Sequence, residues 1–176
     1  MATNNALNRS LPFGFTSSGL AVSSTGIATN ASQPAFGYYL ATSTGNNLTG
    51  DGTVVGLTID TMLFDVGSNV NSSTSTFTAP VTGIYHFIIS AYFANLGASH
   101  TAYDLLINTT LHDYAVGSGN PFVISQQTFY LVQGSVLAKM NAGNTAIFQA
   151  AVFNGAKAVG FEGSFGGNAI YGYLVA

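Results

Sequence analysis

Residues 83–94 read Gly-Ile-Tyr-His-Phe-Ile-Ile-Ser-Ala-Tyr-Phe-Ala. A run this rich in β-branched and aromatic residues, with no helix caps, argues for a strand. One alternation holds Tyr85, Phe87, Ile89, Ala91 and Phe93. The other holds Ile84, His86, Ile88, Ser90 and Tyr92. Both are largely apolar. A strand of an antiparallel sandwich normally has one dry face and one wet face. A second dry face needs cover, and the simplest cover is another copy of the same chain. The segment 170–175 (Ile-Tyr-Gly-Tyr-Leu-Val) repeats the pattern.

Composition sharpens this expectation. Charged residues make up 5% of the chain, against roughly 25% in an ordinary soluble domain. Asn, Ser, Thr and Gly must supply most of the polar surface, and apolar surface is expected to be hidden in contacts between subunits. No apolar run approaches the ~18 residues of a spanning helix, so membrane insertion is not expected. With three basic residues and a net charge of −3, the chain lacks the Lys/Arg clusters that neutralise phosphates, which argues against nucleic acid as a partner. There are no cysteines, which excludes disulfides, thiolate metal sites and thiol catalysis. The start, Met-Ala-Thr-Asn-Asn-Ala-Leu-Asn-Arg-Ser, lacks the basic and apolar regions of a signal peptide. Cytoplasmic synthesis is expected, followed by action in a virion or outside the cell.

Residues 1–33 are rich in Ser, Thr, Asn and Gly, with only a short alternation at Leu11, Phe13 and Phe15. They read as an extended or flexible attachment arm. From residue 34 the chain reads as β throughout, giving a head domain over 34–176. Strands are expected at 34–40, within 53–64, at 77–80 (ended by Pro80), 83–94, 102–108, 111–116, 126–133, 135–140, 145–153 and 169–175. Turn signals stand at 141–144 and at Asn154-Gly155, a favoured hairpin dipeptide. About ten short strands at such spacing describe an all-β antiparallel sandwich.

The segment 59–89 carries a family likeness. Ile59, Asp65, Val70, Phe77, Gly83, Tyr85, Phe87 and Ile89 are spaced in a way that resembles the signature of the complement C1q globular head, a trimeric jelly roll related to the tumour necrosis factor fold. The strongest match is Phe77-Thr-Ala-Pro-Val-Thr-Gly-Ile-Tyr-His-Phe87. Ala35-Phe36 resembles the family's first strand, and 170–176 its last. The resemblance implies a homotrimeric jelly roll in which Pro80 and Gly83 shape a turn, Tyr85 and Phe87 return to the core, and the closing strand ends at the trimer centre. Candidates for the trimer interface are Phe36, Tyr38, Tyr85, Phe87, Phe129, Leu131, Tyr171 and Tyr173. The chain departs from the family in having aliphatic Ile59, Val70 and Ile89 where aromatics are usual, and Gly134-Ser135 where Gly-Asp is common. No collagen-like stalk precedes the head. The cysteine-free, low-charge composition resembles bacterial and phage versions.

Chemistry-bearing residues are few. His86 lies mid-strand and reads as a core or interface histidine. His100 and His112 bracket Asp104 and lie near Asp113, so they are the candidates for a metal site if a hairpin brings them together. The six acids are widely scattered, which leaves a calcium site open but not favoured, and no cofactor is expected. Asp65 reads as a backbone acceptor. There is no nucleophile elbow, phosphate loop or paired carboxylate, and the chain reads as non-enzymatic. The expected function is a homotrimeric structural or receptor-binding protein of a virion (phage fibre, tip or decoration) or of an extracellular assembly. Its expected partners are its own copies, other virion proteins through residues 1–33, and a host-surface receptor or glycan. Two alternatives are a carbohydrate- or ligand-binding module, with Tyr and Asn of 114–120 as loop residues stacking on sugars, and a small single-jelly-roll capsid protein.

Overall fold

The computed structural model describes residues 20–22, 28–30, 33–121, 123, 128–163 and 166–176. By its internal contacts the chain divides into two units, Met1–Gln33 and Pro34–Ala176. In the first, β1 (Leu20–Val22) pairs antiparallel with β2 (Ala28–Asn30). The alternation at Leu11, Phe13 and Phe15 and the basic Arg9 lie outside the described residues.

The second unit contains two six-stranded sheets, antiparallel throughout. The β8 sheet runs β11 (Tyr130–Met140), β8 (Gly83–Ala94), β14 (Ala169–Leu174), β3 (Ala35–Tyr39), β5 (Thr61–Asp65), with β13 (Gly160–Phe161) also paired to β8. The β12 sheet runs β10 (Asp113–Gly119), β9 (Ala102–Thr109), β12 (Thr145–Phe153), β7 (Thr76–Thr78), β6 (Val70–Asn71), with β4 (Val55–Gly56) also paired to β12. The chain changes sheet from β7 to β8, from β8 to β9, from β10 to β11 and again from β11 to β12. This rolling path stacks the two sheets around one core.

Alternation explains what fills that core. Tyr85, Phe87, Ile89, Ala91 and Phe93 of β8 are fully buried. They meet the inward side of the β12 sheet, where Phe77, Leu105, Ile107 and Phe148 are also fully or almost fully buried. The rings interlock: Phe36 stacks on Phe77 at 5.0 Å, and Phe148 stands edge-on to Phe87 at 5.6 Å. Such pairs add to the burial of large side chains. Gly172 makes room here, because a Cβ on it would stand 2.5 Å from the Phe36 ring and 2.8 Å from that of Phe87.

Three expectations need correction. First, 126–133 and 135–140 are not separate strands. Gln126 and Gln127 lie outside the described residues, and from Tyr130 onward β11 runs unbroken through Gly134, paired with β8 from Tyr130↔Phe93 to Met140↔Gly83. Gly134 does not interrupt the strand; it lets β10 approach, since a Cβ there would strike the carbonyl of Val116. Second, Asn154-Gly155 does not close a hairpin. β12 and β13 belong to different sheets, and Gly155 leaves space for the ring of His100 packed against it. Third, residues 114–119 belong to strand β10 and not to a loop, and Tyr114 packs against the core instead of being presented to a ligand.

Candidate functional site

The outward side of the β8 sheet is the feature least like an ordinary protein surface. Register places its side chains in rows. Phe64, Gly37, Tyr171, Ile88 and Ser135 form one, and Ala35, Tyr173, His86 and Leu137 form the next. Ile84 stands beside Lys139, and Tyr92 beside Leu131. Leu137 is 60% exposed, Leu131 48%, Phe64 and Tyr173 45% each, and Ile84 42%. Edge strand β5 adds Met62 and Leu63, both more than half exposed. The register of β5 against β3 shifts between Gly37 and Tyr38, which turns Leu63 as well as its neighbours outward. A contiguous apolar face of this kind marks an interaction surface.

Packing holds the face in shape. A Cβ on Gly37 would lie 2.8 Å from the Phe64 ring and 2.9 Å from that of Tyr171, so this glycine lets the two rings close over the strand. The Tyr173 hydroxyl and Nδ1 of His86 are 3.0 Å apart, with the rings edge-on at 5.3 Å. Phe129 tilts against Tyr92 at 5.8 Å. The charged side chains of the five strands are Asp65 and Lys139. Lys139 sits on the outer strand β11. Asp65 is committed to its own loop: Oδ1 accepts from the Asn69 N–H, and Oδ2 from the Val70 N–H and the Tyr38 hydroxyl, each at 3.0 Å. Asp65 therefore fills the backbone-acceptor role read from the sequence. Burial, reinforced by the Asp65 carboxylate, pushes the Tyr38 phenol up to about 12.

The eight interface candidates separate into two groups. Phe36, Tyr38, Tyr85 and Phe87 are 0–7% exposed within a single chain. They are core residues with no surface left for a partner, and they drop out of the candidate set. Phe129, Leu131, Tyr171 and Tyr173 lie on or beside the outward face. Ile84 lies on the second dry face read from the sequence, whereas sequence reasoning missed Met62, Leu63, Phe64 and Leu137. The alternation of β11 carried a signal for Leu137, which shares a face with Leu131, but dividing the strand at Gly134 hid it.

The histidine pair does not form a metal site. His100 precedes β9 and His112 follows it, so the eight-residue strand holds them ~26 Å apart at opposite ends. His100 is 4% exposed. Its Nδ1 accepts from the Gly97 N–H at 2.8 Å, so the ring proton sits on Nε2 and donates to the Ala156 carbonyl at 3.0 Å. Both nitrogens are occupied in holding loops together. His112 stands edge-on to Tyr114 at 4.6 Å. Among the described residues no three His, Asp or Glu side chains gather as metal ligands, and no helix is long and apolar enough to cross a membrane.

The molecule is thus an all-β jelly roll with one apolar outer sheet face. No protein-family model matches the chain, and no curated protein matches it in sequence. Solved structures do. The globular domain of zebrafish complement 1qA protein aligns with a TM-score of 0.56 at 18% identity, covering 82% of this chain and 98% of that one. Murine APRIL at pH 8.5 aligns with a TM-score of 0.55 at 9% identity, covering 81% and 99%. At these identities the likeness is one of fold: the chain adopts the jelly roll shared by the C1q globular domain and the tumour necrosis factor family.

Proposed function

We propose that this chain is a non-enzymatic, homotrimeric head that serves as a structural or receptor-binding part of a virion (a fibre, tip or decoration protein) or of another extracellular assembly, with residues 1–33 as its attachment arm. The observation that carries the reading is the apolar outward face of the β8 sheet, with Phe64, Ile84, Leu131, Leu137 and Tyr173 all 40–60% exposed in a single chain. A closed ring of copies removes such a face from water without leaving a new one open. Three is the number that the resemblance to the C1q head implies. The virion setting is supported by the absence of cysteine, the low charge and the polar leading segment.

Sedimentation equilibrium at micromolar concentration tests the assembly. The expected result is a single species of three times the 18.1 kDa chain mass. A stable monomer sinks the proposal. Electron microscopy of purified particles, with antibody raised against the chain, tests the setting; labelling of a fibre, tip or shell surface is expected.

A further inference from the structure

A second feature lies on the other sheet. β4 and β7 share one side of β12: Gly56 pairs with Gln149, and Thr76 with Ile147. The hand-over falls at Phe148, whose N–H donates to the Ser75 carbonyl at 3.1 Å and whose carbonyl accepts from the Leu57 N–H at 2.9 Å. The Ser75 hydroxyl donates to the Leu57 carbonyl and ties the two chains together at the floor. Above this tie the chain leaving β4 and the chain arriving at β7 diverge. The cleft between them has a volume of about 360 Å³, within the range of small-molecule sites.

Its lining is chemically specific. Ile59 and Ile147 give an apolar floor, Thr58 and Ser72 contribute hydroxyls, Gln149 an amide, and no charged residue lines it. Among the described residues the side chains of Thr58 and Ser72 have no hydrogen-bond partner. Gln149 Oε1 accepts from Asn108 Nδ2 at 2.9 Å, while Asn108 Oδ1 is buried without a partner. Whichever way the two amides are turned, each keeps one polar atom unspent, and Gln149 is a lining residue of the cleft. Gly56 keeps the cleft open. A Cβ there would stand 3.7 Å from the Thr74 carbonyl, an ordinary contact, so glycine is not required by the backbone.

We propose that this cleft binds a neutral polyhydroxylated ligand, a pyranose unit of an uncharged glycan. Such a ring offers a C–H face to Ile59 and Ile147 and hydroxyls to Thr58, Ser72 and Gln149. An anionic ligand finds no cation there, and a wholly apolar one leaves the polar rim unpaired. The proposal rests on the receptor-binding part of the reading above and is independent of the trimer, since the cleft and the dry face belong to different sheets.

The test titrates the full-length chain with the methyl glycosides of glucose, galactose, mannose, N-acetylglucosamine and N-acetylgalactosamine, and with N-acetylneuraminic acid as the anionic probe, by saturation-transfer NMR. At least one neutral glycoside is expected to bind. Gly56→Leu, which fills the cleft, and Gln149→Leu, which removes the amide, are each expected to weaken binding at least about tenfold with oligomeric mass unchanged; Gln149→Leu also lowers the melting temperature, because it strands the Asn108 amide. If Gly56→Leu does not fold, Gln149→Leu carries the test. Binding of no neutral glycoside, binding that survives the substitutions, or preference for the anionic probe overturns the proposal. A trimer that binds no neutral glycoside refutes the cleft alone, and a monomer that binds through the cleft refutes the assembly alone.

Discussion

β9 and β8 are both long inner strands, yet their outward sides differ in kind. β9 buries Tyr103, Leu105 and Ile107 and turns Asp104, Leu106 and Asn108 outward in strict alternation. Neighbouring strands of that sheet turn out Thr145, Gln149 and Thr76, with Ile147 among them. β8 buries Tyr85, Phe87 and Ile89 with the same regularity but turns out Ile84, His86, Ile88 and Tyr92. The inner faces obey one rule, so the core does not account for the difference. What differs is the polarity of the outer faces: the β12 sheet turns out a mixed, largely polar set, and the β8 sheet an apolar one, which on the proposed reading is covered by another copy of the chain.

Matched substitutions on the two outer faces give the sharpest contrast. Leu137→Asp places an unpaired carboxylate in the proposed interface and is expected to raise the dissociation constant about a hundredfold or more, yielding folded monomer in sedimentation velocity. Ala115→Asp, at an exposed position of the β12 sheet, is expected to leave the mass unchanged. If both variants behave alike, the two faces do not differ in role.

A glycine pair separates the inside of the β8 sheet from its outside. Gly172→Ala drives a methyl into Phe36 and Phe87 and is expected to cost about 1–3 kcal/mol in urea unfolding. Gly37→Ala meets the Phe64 and Tyr171 rings on the outer face first. It is expected to cost less in chain stability while weakening assembly. Equal losses of stability would show that the outer rings are packed as tightly as the core.

The inner faces should respond to pH alike. Tyr38 of the β8 sheet and Tyr103 of the β12 sheet are both held up near 12, from an ordinary 10.0, chiefly by burial. Their contribution is full below pH ~10, where the phenols are neutral in both folded and unfolded chains, and is lost as pH rises through ~12. Tyr38→Phe and Tyr103→Phe are each expected to reduce this alkaline loss, followed by unfolding curves and phenolate absorbance. The smallest effect belongs to exposed Asp60, whose carboxylate is lowered chiefly by the Ala41 N–H, 2.7 Å away. Asp60→Asn is expected to cost under about 1 kcal/mol at neutral pH, because solvent screens the site. That difference should vanish as pH falls below the ordinary carboxylate range and through the lowered folded value.

Much of this arrangement can be read from local pattern. Residues 83–94 and 145–153 announce themselves as strands because alternation and flanking turn residues agree, and the double apolar face of β8 is visible in its letters. Other features depend on contacts distant in sequence. Phe36 and Tyr38 are as aromatic as Tyr171 and Tyr173, but only the sheet order shows which ring points inward. Gly134 looks like a break until the approach of β10 gives it a reason. The cleft joins residues 56–59, 72–75 and 147–149, and no single window contains it.

The central claim is that copies of this chain cover the outward face of the β8 sheet. Hydroxyl-radical footprinting of the assembled protein, read by mass spectrometry, addresses that face residue by residue. The account expects Leu137, Tyr173 and Phe64 to be protected in the wild type and oxidised in Leu137→Asp at its remaining positions. Leu111, 53% exposed in a turn of the other sheet, should react equally in both. Strong oxidation of Tyr173 and Phe64 in the wild-type protein at micromolar concentration would contradict it.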